Sequence, residues 1–171
     1  DWSVTGVQTC ALPIWRRPRR EARVEAPAAA PEGPARILLA EDNALNRAVV
    51  LRSLDKLQYH VDVAANGEEA VALWRANPYD LILMDIQMPG LDGYEATLRI
   101  RSEESAGGGR RTPIVAVTAN ALEAERRRCL AAGMDDYLAK PLDIQRLRDK
   151  VRSFTEAATS PASPASARSS R

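Results

Sequence analysis

Five short apolar runs alternate with five longer segments along the middle of the chain, and this alternation constrains the fold more than any other feature. Short, continuous apolar runs are typical of strands that are buried on both faces. We therefore predict strands at 37–40, 61–64, 81–84, 114–118 and 136–139. Apolar residues at helical spacing predict helices at 45–58, 68–76, 94–101, 122–132 and 144–154, with a flexible glycine loop at 107–109. Five strand–helix units predict an α/β fold, a doubly wound five-stranded parallel sheet with five flanking helices.

The charges of the chain are nearly balanced, with 24 Lys and Arg against 23 Asp and Glu. Between Arg36 and Glu156 there are 17 basic and 19 acidic residues, so no nucleic-acid partner is expected for the domain. No apolar run approaches the roughly 18 residues of a membrane span, so no membrane contact by this piece is expected. Cys10 and Cys129 form neither a metal-binding spacing nor a disulfide framework, which predicts a reduced, cytoplasmic setting.

Both ends of the chain are predicted to lie outside the folded domain. Residues 4–14, VTGVQTCALPI, resemble the translation of a common sequencing adaptor, and we interpret residues 1–14 as an adaptor-derived artefact. Residues 15–35 are rich in Arg, Pro and Ala, which predicts a disordered linker. Residues 156–171 form a Ser/Pro/Ala tail of the same kind. The domain itself is predicted at 36–155.

Polar residues follow four of the predicted strands. They are Glu41 and Asp42 after the first strand, Asp85 after the third, Thr118 at the end of the fourth and Lys140 after the fifth. The carboxyl ends of parallel strands meet at one edge of the sheet, where such folds bind ligands. An ionised carboxylate is costly to bury without a partner, so an apolar run that leads into Asp85 indicates a need for that charge. Ordinary surface polarity explains one such residue but not all five.

These five residues suit one kind of chemistry. Clustered carboxylates repel one another and take up protons, and a hard cation such as Mg²⁺ relieves that repulsion with few protein oxygens. A carboxylate held in this way can attack phosphorus and form an aspartyl phosphate. The phosphoryl oxygens then need positive charge and a hydrogen-bond donor, which Lys140 and Thr118 can supply. The hypothesis is a Mg²⁺-dependent phosphoryl acceptor.

Four motifs carry a resemblance to a known family. They are EDN at 41–43, MDIQMPGLDG at 84–93, TAN at 118–120 and GMDDYLAKP at 133–141. In this order they resemble the receiver domain of two-component response regulators, most of all the receivers of hybrid sensor histidine kinases. The resemblance covers about 36–154. It implies the flavodoxin-like receiver fold and a signalling domain that accepts a phosphoryl group, rather than an enzyme.

The resemblance also implies a role for each residue of the metal site. Asp85 is the residue that would be phosphorylated. Asp42, Asp85 and the main-chain carbonyl of Gln87 would bind Mg²⁺, and Glu41 would act mostly through water.

Further roles follow from the same resemblance. Lys140 would pair with the phosphoryl group, and the Lys140–Pro141 peptide would be cis. Thr118 and Tyr137 would form the switch pair that reports phosphorylation. The side chains of Gln87 and Asn120 would tune dephosphorylation.

Other classes of protein fit the sequence less well. Haloacid-dehalogenase-like phosphatases need a second aspartate two residues after the nucleophile, and that position here is Gln87. A nucleotide-binding fold needs a glycine-rich loop after the first strand, and residues 107–109 lie at the wrong edge. His60 is predicted in the surface turn before the second strand, without the helical context of a phosphorylated histidine. Cys129 is expected to pack within the fourth helix.

Two functions of different class remain open. In the first, the receiver belongs to a hybrid kinase and exchanges phosphate with a histidine kinase or a histidine phosphotransfer domain. The EDN motif, with Asn46 near the start of the first helix, favours this function. In the second, a stand-alone response regulator binds an effector protein on the face formed by the fourth helix, the fifth strand and the fifth helix.

Overall fold

A computed structural model describes residues 34–108, 110–120 and 122–159. The adaptor-like segment 1–14, the predicted linker up to residue 33 and the tail from residue 160 lie outside the described residues.

Within the described part of the chain, strands and helices alternate as predicted. The strands are β1 (Arg36–Ala40), β2 (His60–Ala64), β3 (Leu81–Asp85), β4 (Ile114–Thr118) and β5 (Asp136–Ala139). The helices are α1 (Ala44–Leu54), α2 (Gly67–Ala76), α3 (Gly93–Gly107), α4 (Glu123–Ala131) and α5 (Ile144–Thr159). All strand pairs are parallel and the sheet order is β2-β1-β3-β4-β5. The predicted doubly wound fold is confirmed.

The central strands are continuously apolar up to their last residues because helices cover both faces of the sheet. Every residue of β3 and β4 is buried. Successive side chains of β1 point to opposite faces: Leu38 belongs to one buried core cluster, and Ile37 and Leu39 belong to the other. The continuous runs in the sequence therefore reflect two cores, one on each face of the sheet.

Four helices begin with a polar cap directly after a strand end or loop, and the cap of α5 is Asp143, which accepts the backbone N–H of Gln145. Asn43 Oδ1 accepts a hydrogen bond from the backbone N–H of Leu45 at the start of α1, 2.9 Å away. Asn66 caps α2 and Asp92 caps α3 in the same way. Gly93 lets α3 approach the end of β3, because a Cβ atom at this position would lie 2.2 Å from the main-chain oxygen of Asp85.

Some boundaries differ from the prediction. Helix α1 ends at Leu54 and a short 3₁₀ helix follows at Asp55–Leu57, whereas one helix was predicted to residue 58. Helix α5 continues five residues beyond the predicted end, to Thr159.

Helix α3 includes Gly107, which was predicted in a loop. Few large apolar residues mark its last turns, but Glu104 anchors them by ion pairing with Arg101 and accepting the N–H of Thr112. His60 is the first residue of β2 rather than part of a turn, because it pairs in register with Arg36 of β1. Its side chain is exposed, with Nε2 3.3 Å from Asp62 Oδ1.

Candidate functional site

The predicted site residues meet at the carboxyl edge of the sheet, next to the point between β1 and β3 where the strand order reverses. Glu41 directly follows β1, Asp85 ends β3 and Lys140 follows β5. The Lys140 Nζ atom lies 2.7 Å from Asp85 Oδ2 and 2.9 Å from Glu41 Oε2. One ammonium group is therefore shared by two carboxylates from neighbouring strands.

Glu41, Asp42 and Asp85 form the acidic group that the sequence predicted. Each offers one carboxylate oxygen, and the three oxygens lie within 4.8 Å of one another. Glu41 and Asp85 are buried, whereas Asp42 is exposed. A set of hard oxygen donors that is open to solvent on one side fits a divalent cation such as Mg²⁺, which keeps several waters when it binds to proteins.

The Asp85 carboxylate is held by two donors. Lys140 donates to Oδ2, and the backbone N–H of Gln87 donates to Oδ1 at 3.2 Å. Burial raises the pKa of Asp85 above 3.8, the hydrogen bond from Lys140 opposes that rise, and the nearby charge of Glu41 adds to it. The pKa is raised overall, so without a cation the ionised form of Asp85 is less favourable in the fold than in the unfolded chain.

Lys140 is charged at neutral pH. Burial alone would lower the pKa of its ammonium group, but the hydrogen bonds to Asp85 and Glu41 outweigh that effect and raise it. The Lys140–Pro141 peptide is cis, as the resemblance implied. The lysine therefore supplies a permanent positive charge beside Asp85.

Two contacts of Glu41 were not predicted from the sequence. Asn46 Nδ2 donates to Glu41 Oε1 at 2.7 Å, and the Arg47 guanidinium donates to the main-chain oxygens of Glu41 and Asp42 at 3.2 and 3.3 Å. Both residues lie in the first turn of α1. Their position after the EDN motif was the only available signal, because the direction of a side chain on a helix depends on the angle at which the helix leaves the strand.

The residues predicted to sense and tune phosphorylation lie on the strands and loops next to the ion cluster. Thr118 is buried, and its hydroxyl accepts the backbone N–H of Asn120 at 3.1 Å. Gln87 and Asn120 are exposed at the rim. Tyr137 is half-buried and packs against the core cluster that contains Met84 and Ala116. The structure thus brings Glu41, Asp42, Asp85 and Lys140 together, with Gln87 in contact with Asp85, Asn120 in contact with Thr118, and Tyr137 packed against the core rather than against the ion cluster.

A polar cluster between α3 and α4 was also missed by the sequence analysis. The Tyr94 hydroxyl donates to Glu125, its oxygen lies 3.8 Å from Cys129 Sγ, and Arg128 Cζ lies 4.9 Å from the ring centre. Cys129 is the buried residue of α4, which confirms its predicted packing role. Tyr94 and Glu125 are 31 residues apart, so no local pattern could have predicted their contact.

This fold and this site together define a class of signalling domain, one that accepts a phosphoryl group at an acidic pocket beyond the ends of parallel strands. Comparison with known proteins agrees. The chain belongs to the response regulator receiver domain family, which it matches over residues 37–152.

The curated relatives include histidine kinases, among them two that are named as hybrid kinases. Hybrid signal transduction histidine kinase G of Dictyostelium discoideum is 48% identical over 121 residues, which cover 70% of this chain and 4% of that protein. Sensor histidine kinase GacS of Pseudomonas protegens is 40% identical over 120 residues, which cover 70% of this chain and 13% of that protein. The chain therefore spans only a small part of the length of these relatives.

Solved structures of receiver domains have the same fold. The receiver of sensor histidine kinase PA1611 from Pseudomonas aeruginosa, with a magnesium ion coordinated in its active-site cleft, has a TM-score of 0.65 and 45% identity. The match covers 72% of this chain and 99% of that one. The Ssk1 receiver of Saccharomyces cerevisiae, in complex with the histidine phosphotransfer protein Ypd1, has a TM-score of 0.72 and 33% identity. That match covers 74% and 92% of the two chains.

In the described part of our chain, no helix combines the length and the apolar character needed to cross a membrane.

The raised pKa of Asp85 predicts a stability effect. In the unfolded chain this carboxyl titrates near 3.8, and in the metal-free fold it titrates higher. Its ionisation therefore costs stability at every pH above the folded-state pKa, and the cost is relieved as pH falls through that value. Asp85→Asn removes the charge and leaves Lys140 paired with Glu41. We expect the melting temperature of the metal-free protein to rise by several degrees near neutral pH, measured in a chelator.

Asp149→Asn is the matched control, because Asp149 is exposed on α5. Its substitution should leave the melting temperature nearly unchanged. A parent protein that melts at or above the temperature of Asp85→Asn would show that the Asp85 charge carries no cost.

Proposed function

We propose that the chain is the receiver of a phosphorelay, which takes a phosphoryl group from a phosphohistidine onto Asp85 with Mg²⁺ and then changes conformation. The observation that carries the proposal is the shared contact of Lys140 with Asp85 and Glu41, beside the exposed carboxylate of Asp42. This arrangement concentrates negative charge where a cation can reach it. It also holds a positive charge within reach of the group that Asp85 would accept.

Asp42, Asp85 and the main-chain carbonyl of Gln87 are the proposed Mg²⁺ ligands, and Glu41 is expected to act through water. When bound, Mg²⁺ offsets the charge of the carboxylates and of the arriving phosphoryl group. The donor set supports this assignment, because three carboxylate oxygens lie within 4.8 Å of one another.

The protein groups have distinct parts in the transfer. A carboxylate oxygen of Asp85 attacks phosphorus and forms a P–O bond, while the P–N bond breaks and the imidazole leaves with the electron pair. The Gln87 N–H and Lys140 fix the orientation of the carboxylate beforehand. Lys140 then pairs with the phosphoryl oxygens, and Thr118 donates its hydroxyl to one of them.

The proposed donor is a histidine kinase or a histidine phosphotransfer domain, and the parent protein is proposed to be a hybrid sensor histidine kinase. The hybrid kinases among the relatives and the complex of the related Ssk1 receiver with Ypd1 support this assignment. The proposed folded unit spans residues 36–155, with α5 continuing to Thr159. The proposed location is the cytoplasm, because phosphohistidine is made there from ATP, and this is compatible with a parent kinase anchored in the membrane.

A second candidate is a stand-alone regulator that binds an effector protein on the α4–β5–α5 face. It is favoured by an open groove of about 680 Å³ along β5 and α5, whose lining includes Tyr137, Arg146 and Lys150. Such a groove next to the proposed switch residue can change shape with phosphorylation.

The assignment of Asp85 is tested by phosphorylation from a small donor. We expect acetyl phosphate to add one phosphoryl group to the parent protein in the presence of Mg²⁺ and none in a chelator, as recorded by intact mass. Asp85→Asn should stay unlabelled, and Asp149→Asn should label like the parent. Labelling of Asp85→Asn would assign the phosphoryl group to another residue.

Gln87 and Asn120 are proposed to tune the lifetime of the aspartyl phosphate, because both are exposed at the rim beside Asp85 and Thr118. We expect Gln87→Ala and Asn120→Ala to change the rate at which the added mass is lost more than the rate at which it is gained. Equal decay rates in the parent and both variants would contradict these roles.

Phosphorylation adds about −1.5 to −2 charge and three acceptor oxygens at the end of β3. In the structure the Thr118 hydroxyl donates to the main-chain oxygen of Asn120 at 3.3 Å, and it can donate to a phosphoryl oxygen only by giving up that bond and moving toward Asp85. That movement leaves space below α4, into which Tyr137 of β5 can turn. The proposed output is a two-state change of the α4–β5–α5 face.

The switch predicts that Thr118→Ala separates phosphorylation from output. We expect this variant to bind the phosphoryl mimic beryllofluoride while the NMR signals of Tyr137 and α4 stay close to those of the unmodified protein. The parent protein should show large shifts at both places. If Thr118→Ala shows the same shifts as the parent, the hydroxyl is not the relay.

A further inference from the structure

Glu41 is an almost fully buried carboxylate, 1% exposed, with one hydrogen-bond donor on each oxygen. Lys140 Nζ lies 2.9 Å from Oε2, and Asn46 Nδ2 donates to Oε1 at 2.7 Å. The backbone N–H of Asn46 donates to the side chain of Asn43, the cap of α1. The residue whose side-chain amide holds Glu41 is therefore part of the capped first turn of α1.

The two hydrogen-bond donors of Glu41 differ in whether phosphorylation would give them another partner. Lys140 also contacts Asp85, at 2.7 Å, and in the proposed function it pairs with the phosphoryl group once that group arrives. In the contacts that the structure describes around Glu41, the side chain of Asn46 contacts neither Asp85 nor the place of the phosphoryl group. It can remain the donor to Glu41 before and after phosphorylation.

The chemistry of an amide suits this place. A neutral N–H donor satisfies a buried carboxylate oxygen without adding positive charge that would compete with a bound cation. A carboxylate at position 46 would repel Glu41, and an apolar side chain would leave Oε1 buried without its partner. Either change would let the Glu41 carboxylate rotate away from the position that it shares with Asp42 and Asp85.

We propose that Asn46 is a positioning residue for the cation site: it fixes the carboxylate of Glu41 and thereby strengthens Mg²⁺ binding. It acts through Glu41, without touching the cation or the phosphoryl group. Groups that orient direct metal ligands typically contribute about 10- to 100-fold to metal affinity, and Asn46, whose target Glu41 reaches the cation through water, is expected at the lower end of that range. This inference rests on the proposed function, because it requires that the site binds Mg²⁺.

A double-mutant cycle tests the proposal. The Mg²⁺ dissociation constant is measured by NMR titration with MgCl₂ in the parent, Asn46→Ala, Glu41→Ala and the double variant. We expect Asn46→Ala to weaken binding about tenfold in the parent. In the Glu41→Ala background, the same change should alter the constant by less than about twofold, because its target is absent. Equal effects in both backgrounds, or no effect in the parent, would overturn the proposal.

Val50→Ala separates positioning from helix stability. Val50 is buried one turn further along α1, so its truncation should lower the melting temperature and leave the Mg²⁺ constant unchanged. If Val50→Ala weakens Mg²⁺ binding as much as Asn46→Ala, the effect belongs to the helix and the proposal is wrong.

Should Asn46→Ala not fold, Asn46→Ser replaces it in the cycle with the same expectations. A parent that does not bind Mg²⁺ would contradict the proposed function, whereas a parent that binds without coupling contradicts only the role of Asn46.

Discussion

The contact of Lys140 with Asp85 and Glu41 is the interaction on which the site depends. Two buried carboxylates from neighbouring strands share one ammonium group, and the exposed carboxylate of Asp42 lies beside them. Burial, with a further contribution from the charge of Glu41, raises the pKa of Asp85, and the hydrogen bond from Lys140 offsets that rise only in part. A site in this state favours a divalent cation, and the cation together with Lys140 can then offset the negative charge of an incoming phosphoryl group.

The fold builds this contact from elements that are far apart in sequence. The pairing of Ala40 with Met84 places the residues after β1 beside the end of β3. The pairing of Thr118 with Ala139 places Lys140 at the same edge. The backbone N–H of Lys140 donates there to the main-chain oxygen of Thr118 at 2.7 Å. Burial of the apolar strands on both faces thus drives the charged residues to one edge, and the stability of the two cores outweighs the local electrostatic cost.

The sequence was sufficient for the fold and for the ion cluster, because both depend on strong patterns. Apolar runs of four to five residues mark strands, and the residue after each run must lie at the edge of the sheet. The sequence did not predict the contacts of Asn46 and Arg47 with Glu41, or the contact of Tyr94 with Glu125. These contacts depend on how the helices pack against strand ends and against each other. Helix ends such as that of α3 also escaped prediction, because side-chain contacts rather than apolar periodicity extend them.

The central claim is that Asp85 accepts a phosphoryl group whose charge Lys140 and a divalent cation offset. A crystal structure of the parent protein grown with Mg²⁺ and beryllofluoride tests it most directly. The account predicts beryllium bonded to a carboxylate oxygen of Asp85, Lys140 and Thr118 within hydrogen-bonding distance of its fluorides, and Mg²⁺ on Asp42 and Asp85. Beryllofluoride bonded to another residue, or Lys140 beyond hydrogen-bonding distance of its fluorides, would contradict it.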